Sequence, residues 1–351
     1  MAAASDIGGA RGLPVSRIGR TGLEVTELGF GGAGVFCGQP REVAQGAFQA
    51  AWDAGIRYFD TAPFYGHGLS ERRMGDCLRP LPRDSYVLST KVGRLLRPGP
   101  SEQTPPDPAP GRLPFGIRLD YSHDGVLRSV EDSLQRLGLD RIDIAYIHDV
   151  SPHWLGEQYE RRFAETIAGG YRALERLRAE RTIRAFGVGV KDADVCMRFA
   201  RAGDFDAFML AGAYSLLNQT GLEELLPYCV ERGISIVLAA PFNSGILATG
   251  AVPGATYYYQ PAGPEIIART ARIEAICRRH GVELVSAALN FPLTHPTVAS
   301  VVSGYASAAQ VEANVRSFAQ APPDAFWADL KREGLVPEGA PIERRARGRR
   351  P

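Results

Sequence analysis

A short apolar run followed by an amphipathic one recurs along this chain, and that alternation limits the possible folds more than any other feature. The apolar runs are TELGFGG (26–32), IRYFD (56–60), SYVLSTKV (85–92), IDIAYIH (142–148), IRAFGVGV (183–190), FDAFML (205–210), ISIVLAA (234–240) and VASVVSG (298–304). Each reads as a buried strand. Helical patterns lie near 41–54, 69–79, 123–138, 160–180, 192–202, 221–232, 264–280, 283–293 and 307–318. In the first, Val43, Ala47, Ala50 and Ala54 share a face; in the third, Asp124 is placed to N-cap, Val126, Val130, Leu134 and Leu137 form the stripe, and Gly138 stops the helix. Strict strand–helix alternation calls for a parallel sheet, and eight units in 351 residues fit a closed α/β (β/α)8 TIM barrel of one domain. An open doubly wound sheet is the alternative.

The barrel reading sets the boundaries: a disordered segment 1–12, the barrel over 13–322, and a C-terminal extension 323–351 ending in the basic ERRARGRRP. Two inserts break the rhythm, the Pro-rich 97–116 after the third strand and the Tyr-rich 250–264 after the seventh. Both would overhang the carboxyl end of the barrel, where substrate lids belong. With 40 basic against 39 acidic residues, nothing steers the chain toward nucleic acid or a membrane surface. Its five cysteines are scattered without C-x-x-C, which argues against a structural metal or a disulfide framework. No signal-peptide pattern or membrane-length apolar run is present, so a cytoplasmic protein with a small-molecule partner is expected. Nothing marks an oligomeric interface.

GFGGAG (29–34) matches the glycine pattern of dinucleotide-binding folds, and Asp60 ends the next strand. The match is set aside because Val35–Pro40, with Gly38 and Pro40, is not expected to be helical.

Four polar residues fall at the carboxyl ends of expected strands or just beyond: Asp60, Tyr65, Lys91 and His148. Strand ends on one rim converge in a barrel. A buried Lys91 requires a partner, and Asp60 is the candidate. A phenol titrates near ~10 in isolation, so Tyr65 needs a neighbouring charge to exchange protons at neutrality, and Lys91 is expected to depress its pKa. His148 is then placed to orient a substrate oxygen.

GRTGLEVTELGFGGAG, DAGIRYFDTAPFYGHGLSERRMGDCL, STKVGR and LGLDRIDIAYIHD together resemble the aldo-keto reductase superfamily, over most of residues 14–320. The resemblance implies a (β/α)8 barrel, a nicotinamide cofactor, and the catalytic tetrad Asp60, Tyr65, Lys91 and His148, with Tyr65 as general acid/base. The C-terminal half looks like the branch of aldose 1-dehydrogenases, L-galactose dehydrogenase and pyridoxal 4-dehydrogenase, which implies oxidation of a cyclic hemiacetal, such as that of L-fucose, L-galactose or D-arabinose, to a lactone. Phe64 and Trp154, with Tyr257 on the insert, are the aromatic candidates for substrate contact beside Tyr65 and His148.

The resemblance also places cofactor contacts. They are Gly32 and Ala33 after the first strand, Asp60, Tyr214, then Pro241, Phe242, Asn243, Ser244 and Leu247 after the seventh. Ser303, Gly304, Ser307, Gln310 and Asn314 follow the eighth. Ser307 and Gln310 equally form a capping box that needs no ligand. Relatives that take NADP carry a cation in this segment; Gly304, Tyr305, Ala306 and Gln310 supply none, which favours NAD over NADP. The sequence departs from the family at GVGVKD (187–192), Ala211 and Ala240, near the expected nicotinamide. The competing readings are an NADPH-dependent carbonyl reductase and a non-catalytic cofactor-binding subunit.

Overall fold

The computed structural model describes residues 12–101 and 109–342. The expectations for 1–11 and for the basic tail 343–351 lie outside the described residues. Eight parallel strands close into a barrel: strand one Leu28–Gly31, two Tyr58–Asp60, three Val87–Val92, four Ile144–His148, five Ala185–Val190, six Ala207–Ala211, seven Ser235–Ala239 and eight Val298–Gly304. They follow one another in chain order, and strand eight closes on strand one with Val301 opposite Leu28 and Gly304 opposite Gly31. An open sheet is excluded.

Alternation along each strand makes two cores. Inward residues such as Tyr58, Ile144, Tyr146, Met209, Val237 and Val302 fill the barrel. Outward ones such as Phe30, Phe59, Leu88, Ile147, Phe186 and Phe208 meet the helices. A hairpin not foreseen in the sequence, Val15–Ile18 against Leu23–Thr26, sends Ile18, Leu23 and Val25 into the inner core. The opposite, carboxyl end of the barrel is left to carry the site.

The helices deviate from expectation in their faces more than in their ends. Helix Arg41–Asp53 buries Ala44, Ala47, Phe48 and Ala51, while Val43 is 38% exposed. Phe48 decides the orientation, because its ring packs 5.0 Å from Phe59 and removes far more apolar area than a methyl group would. Helix His123–Leu137 is capped by Ser122, whose Oγ accepts from Gly125 N at 3.1 Å; Asp124 sits in the first turn instead. Residues 32–38 do form a short helix, so the stated reason for rejecting the glycine motif fails; the closed barrel removes the motif's context instead. The insert after strand three is flanked by a two-stranded ribbon, Arg94–Arg97 with Gly116–Leu119, and its residues 102–108 lie outside the described residues. Beyond 322, helix Asp324–Arg332 buries Phe326, Trp327 and Leu330 in the outer core, and so the chain is packed well past the expected barrel boundary.

Candidate active site

Asp60 and His148 are the last residues of strands two and four, and Lys91 is the penultimate residue of strand three. These three strands are neighbours. Tyr65 opens a single 3-10 turn, Tyr65–Gly68, in the loop beyond Asp60. The structure brings all four together. Lys91 Nζ donates to Asp60 Oδ2 at 2.7 Å and to Thr61 O at 2.9 Å, and Ser89 Oγ donates to Asp60 Oδ1 at 2.6 Å. The same ammonium stands 4.8 Å from the Tyr65 ring centroid, and the Tyr65 and His148 rings meet edge-on at 5.9 Å.

Burial governs the electrostatics. The Asp60 carboxyl is pushed above its usual range by desolvation, against the pull of Lys91 and Ser89. Burial lifts the Tyr65 phenol well above its ordinary value, with the Asp60 and Asp149 carboxylates adding to the rise and Arg94 opposing it. The depressed phenol expected from Lys91 is therefore not what this state shows. The reason is burial, the largest effect on the phenol, to which the Asp60 and Asp149 carboxylates add. His148 is driven well below its ordinary value by burial and by the Arg94 and Lys91 charges, which keeps the imidazole neutral.

Sequence reasoning missed the groups just behind the tetrad. Arg94, at the base of the ribbon, has its Nη2 3.0 Å from Asp149 Oδ2, and its guanidinium carbon lies 4.5 Å over the Phe64 ring and 5.2 Å over Trp154. Asp149 holds a left-handed φ of 50°, and its Oδ2 is 3.5 Å from His148 Nε2. Tyr121 donates its hydroxyl to His148 O at 2.8 Å. The visible signal for Arg94 was STKVGR itself, where Gly93 at φ 97° turns the chain off the barrel and a Cβ would overlap the Tyr121 ring. Of the expected aromatic contacts, Phe64 stands 6.0 Å from the His148 ring and Trp154 stands 6.3 Å from Phe64. From the second insert, Tyr259 reaches over Lys191 Nζ at 4.6 Å, and Lys191 lies 5.4 Å from the Trp154 ring. Tyr257 packs instead against its neighbour Tyr258 at 4.6 Å.

The expected cofactor residues divide. Strands seven, eight and one are adjacent, so the segments after them share one rim. Ala33, Gly34, Ala240, Gly304 and Ala306 are exposed along it. Ala240, Asn243 and Ser244 take left-handed φ of 52°, 47° and 69°, a cluster of backbone strain of the kind that gathers at ligand clamps. Asn314 is buried with its Nδ2 unpartnered, a donor that a ligand on this rim would satisfy. A dinucleotide fits this rim. Gly32 and Pro241 are buried and Phe242 is half-buried. Tyr214, Leu247 and Ser303 are fully buried, Tyr214 at 5.1 Å from the Phe291 ring and with its hydroxyl unpartnered. Other expected contacts are engaged within the chain. Asn243 accepts from Ser215 Oγ at 2.5 Å and donates to Gly212 O at 3.1 Å, tying the rims of strands six and seven together. Ser307 Oγ accepts from Gln310 N at 3.3 Å while Gln310 Oε1 accepts from Ala306 N at 2.6 Å, which realises the capping reading. Among the described residues no cluster of histidine, cysteine or carboxylate is placed to hold a metal, and no helix is long and apolar enough to cross a membrane.

A tyrosine, a lysine–aspartate pair and a neutral histidine on the rim of a (β/α)8 barrel, beside a groove suited to a dinucleotide, describe an oxidoreductase. Residues 27–332 match the Aldo/keto reductase family, and the chain belongs to it. It is 43% identical over 333 residues to a pyridoxal 4-dehydrogenase of Microbacterium luteolum, covering 91% of this chain and 97% of that protein. It is 41% identical over 324 residues to a D-threo-aldose 1-dehydrogenase of a Pseudomonas species, covering 90% and 96%. Among solved structures, the holo form of an aldo-keto reductase from Bacillus halodurans superposes with a TM-score of 0.74 at 26% identity, covering 94% and 98%. The chain is thus an oxidoreductase of a family that uses NAD(P)H.

Proposed function

We propose that this enzyme oxidises the anomeric carbon of a cyclic hemiacetal to a lactone, with an aldose such as L-fucose, L-galactose or D-arabinose as substrate and NAD as the preferred cofactor. The observation that carries the reading is Tyr65 set between the buried Asp60–Lys91 pair and a neutral His148. Residues 240–244 and 304–310 with Asn314 would hold the dinucleotide, which supplies the hydride acceptor when bound. The chain supplies the rest. His148, uncharged, aligns the substrate hydroxyl by a hydrogen bond without adding charge. Once Tyr65 has released its own proton, its oxygen takes the hydroxyl proton as the hydrogen on the same carbon leaves as hydride. Lys91 steadies the phenolate, and Asp60 fixes Lys91. The walls of Phe64 and Trp154 keep water from the reacting carbon.

Pyridoxal is the second reading, supported by the similarity to the Microbacterium enzyme and by those aromatic walls, which suit a pyridine face. Its aldehyde also closes as a hemiacetal, onto the neighbouring hydroxymethyl group, so the same chemistry applies. The preference for NAD rests on the uncharged Gly304–Ala306 stretch and on Gln310, whose side chain is spent on the helix cap. Reduction of NAD⁺ and NADP⁺ with these sugars and with pyridoxal, followed by nicotinamide absorbance, tests the reading. Turnover lost in Tyr65→Phe by roughly 10²–10⁴-fold is the expected result. Carbonyl reduction with NADPH alone would refute it.

A further inference from the structure

Arg94 is the largest fully buried side chain among the described residues, 1% exposed, yet only one of its three nitrogens has a counterpart. Nε and Nη1 have no hydrogen-bond partner among the described residues. A buried donor left unmade is costly, and more so when it is charged. Structural duty does not account for this. Nη2 is answered by Asp149, the Phe64 and Trp154 rings flank the guanidinium, and an apolar side chain would fill the same space without stranding donors.

Two more buried polar atoms without partners belong to residues touching this group: Nδ1 of His148 and Nε1 of Trp154. Arg94 is also near enough to Tyr65 and His148 for its charge to act on both titrations. Unsatisfied polar atoms therefore gather beside His148, around a guanidinium held by Asp149 and flanked by Phe64 and Trp154. Asp149 fixes it from a backbone conformation that few residues other than glycine adopt.

We infer that Arg94 is a specificity-determining residue: one of its unpartnered nitrogens, Nε or Nη1, binds a second substrate oxygen, the one carried next to the reacting centre. This rests on the hemiacetal reading above. A guanidinium only donates, so the partner is an acceptor. In an aldose that oxygen is the 2-hydroxyl, on the carbon beside the anomeric one. In pyridoxal it is the 3-oxygen, on the ring beside the carbon bearing the aldehyde. A site built to bond such an oxygen rejects the analogue lacking it far more strongly than an apolar pocket would.

The test removes the oxygen and the arginine separately and together. D-Arabinose is compared with 2-deoxy-D-ribose, which is the same sugar without its 2-hydroxyl, and pyridoxal with 3-deoxypyridoxal. Each pair is run on the wild type, Arg94→Met and Arg94→Lys. The wild type should favour one hydroxylated substrate over its deoxy analogue by ~10–100-fold in kcat/KM, the range of one charge-assisted bond. In Arg94→Met that ratio should fall toward one, and Arg94→Lys, which lacks the planar fork, should recover part of it. Which pair shows the effect separates sugar from pyridoxal. A wild type indifferent to both oxygens overturns the proposal without needing any variant. So does a discrimination that survives in Arg94→Met. Should the wild type oxidise none of the four, the hemiacetal reading fails, and thermal-shift titration with D-arabinose and pyridoxal decides the role of Arg94. Wild-type binding that weakens in Arg94→Met but survives in Arg94→Lys supports it. Equal binding in wild type and Arg94→Met, or none in the wild type, overturns it.

Discussion

Replacing Asp60 by Asn keeps the shape of the side chain and removes its charge, which strands the Lys91 ammonium. Both side chains of the pair are nearly inaccessible, at 4% for Asp60 and 3% for Lys91, and their 2.7 Å contact is the ammonium's one ionic partner, with Thr61 O as a neutral acceptor. Breaking a buried pair from one side costs about 3–5 kcal/mol, because the surviving charge has lost both water and partner. At ~2 °C per kcal/mol, the lower end for a chain of this size, the midpoint of thermal unfolding should fall by ~6–10 °C. Lys91→Met should cost a similar amount by leaving the carboxylate. The double variant Asp60→Asn/Lys91→Met removes both charges, and it should be more stable than the sum of the singles by ~2 kcal/mol or more. Turnover behaves differently. All three variants should be slower by ~10² or more, since none can steady the Tyr65 phenolate. Calorimetric melts and NAD⁺ reduction on the same four proteins give the answer. Additive stability losses in the double variant would refute the reasoning, because they would mean that the two charges do not depend on each other for burial.

The raised Tyr65 phenol holds its proton at pH 7, and oxidation needs that proton gone. The kcat/KM for oxidation should therefore climb as pH rises to 9, while the reverse reduction, for which the phenol is already protonated, should stay flat; an oxidation rate that does not climb would exclude Tyr65 as the acid/base. His148 is held neutral, with its folded pKa below the unfolded ~6.5, so it contributes stability above that pH and loses it as pH drops below. His148→Gln should flatten the difference in melting temperature between pH 8 and pH 5, and the wild-type rate profile should lack a limb near ~6.5. Gly75 lies where helix Leu69–Leu78 crosses helix His123–Leu137, and a Cβ there would overlap Leu137 O. Gly75→Ala should lower stability by about 1–3 kcal/mol through forced separation of the two helices, measurable by denaturant titration, and leave the Tyr65 pH profile in place.

How much of this was legible in the sequence depends on what each feature is made of. The barrel was legible because a parallel strand buried on both faces leaves a continuous apolar run, and the runs gave every strand to within two residues at its ends. The hairpin at 15–26 was not, because its strands are four residues each and carry Arg17 and Glu24 among the apolar positions. Helix 324–332 was overlooked although Phe326, Trp327 and Leu330 lie on one face, since Pro322 and Pro323 read as an end and not as an entry. The tetrad was legible because polar residues at strand ends share a rim by topology alone. What charge each member feels was not legible, because it depends on burial and distance: desolvation is the largest effect on Tyr65. Burial hid Arg94 too: Gly93 in STKVGR marks a turn, but that the arginine after it packs inward depends on Phe64, Trp154 and Asp149, which are distant in sequence.

Two buried pairs flank Tyr65 and His148, Asp60–Lys91 on one side and Asp149–Arg94 on the other. Each is neutral as a whole, so deleting a single member tilts the field at the phenol in a direction fixed by the sign of the charge removed. The Asp149 carboxylate raises the Tyr65 pKa and the Arg94 guanidinium lowers it. Asp149→Asn should therefore move the alkaline limb of the oxidation profile to lower pH, and Arg94→Met should move it higher, although both variants break the same contact. A pair acting only as a packing element would move the limb equally in the two variants, or in neither. Shifts of the same sign would therefore remove Arg94 and Asp149 from the electrostatics of the site and leave them as scaffolding for Phe64 and Trp154. Shifts of opposite sign would show that the proton affinity of Tyr65 is set by the balance between two pairs, of which the familiar lysine–aspartate is one.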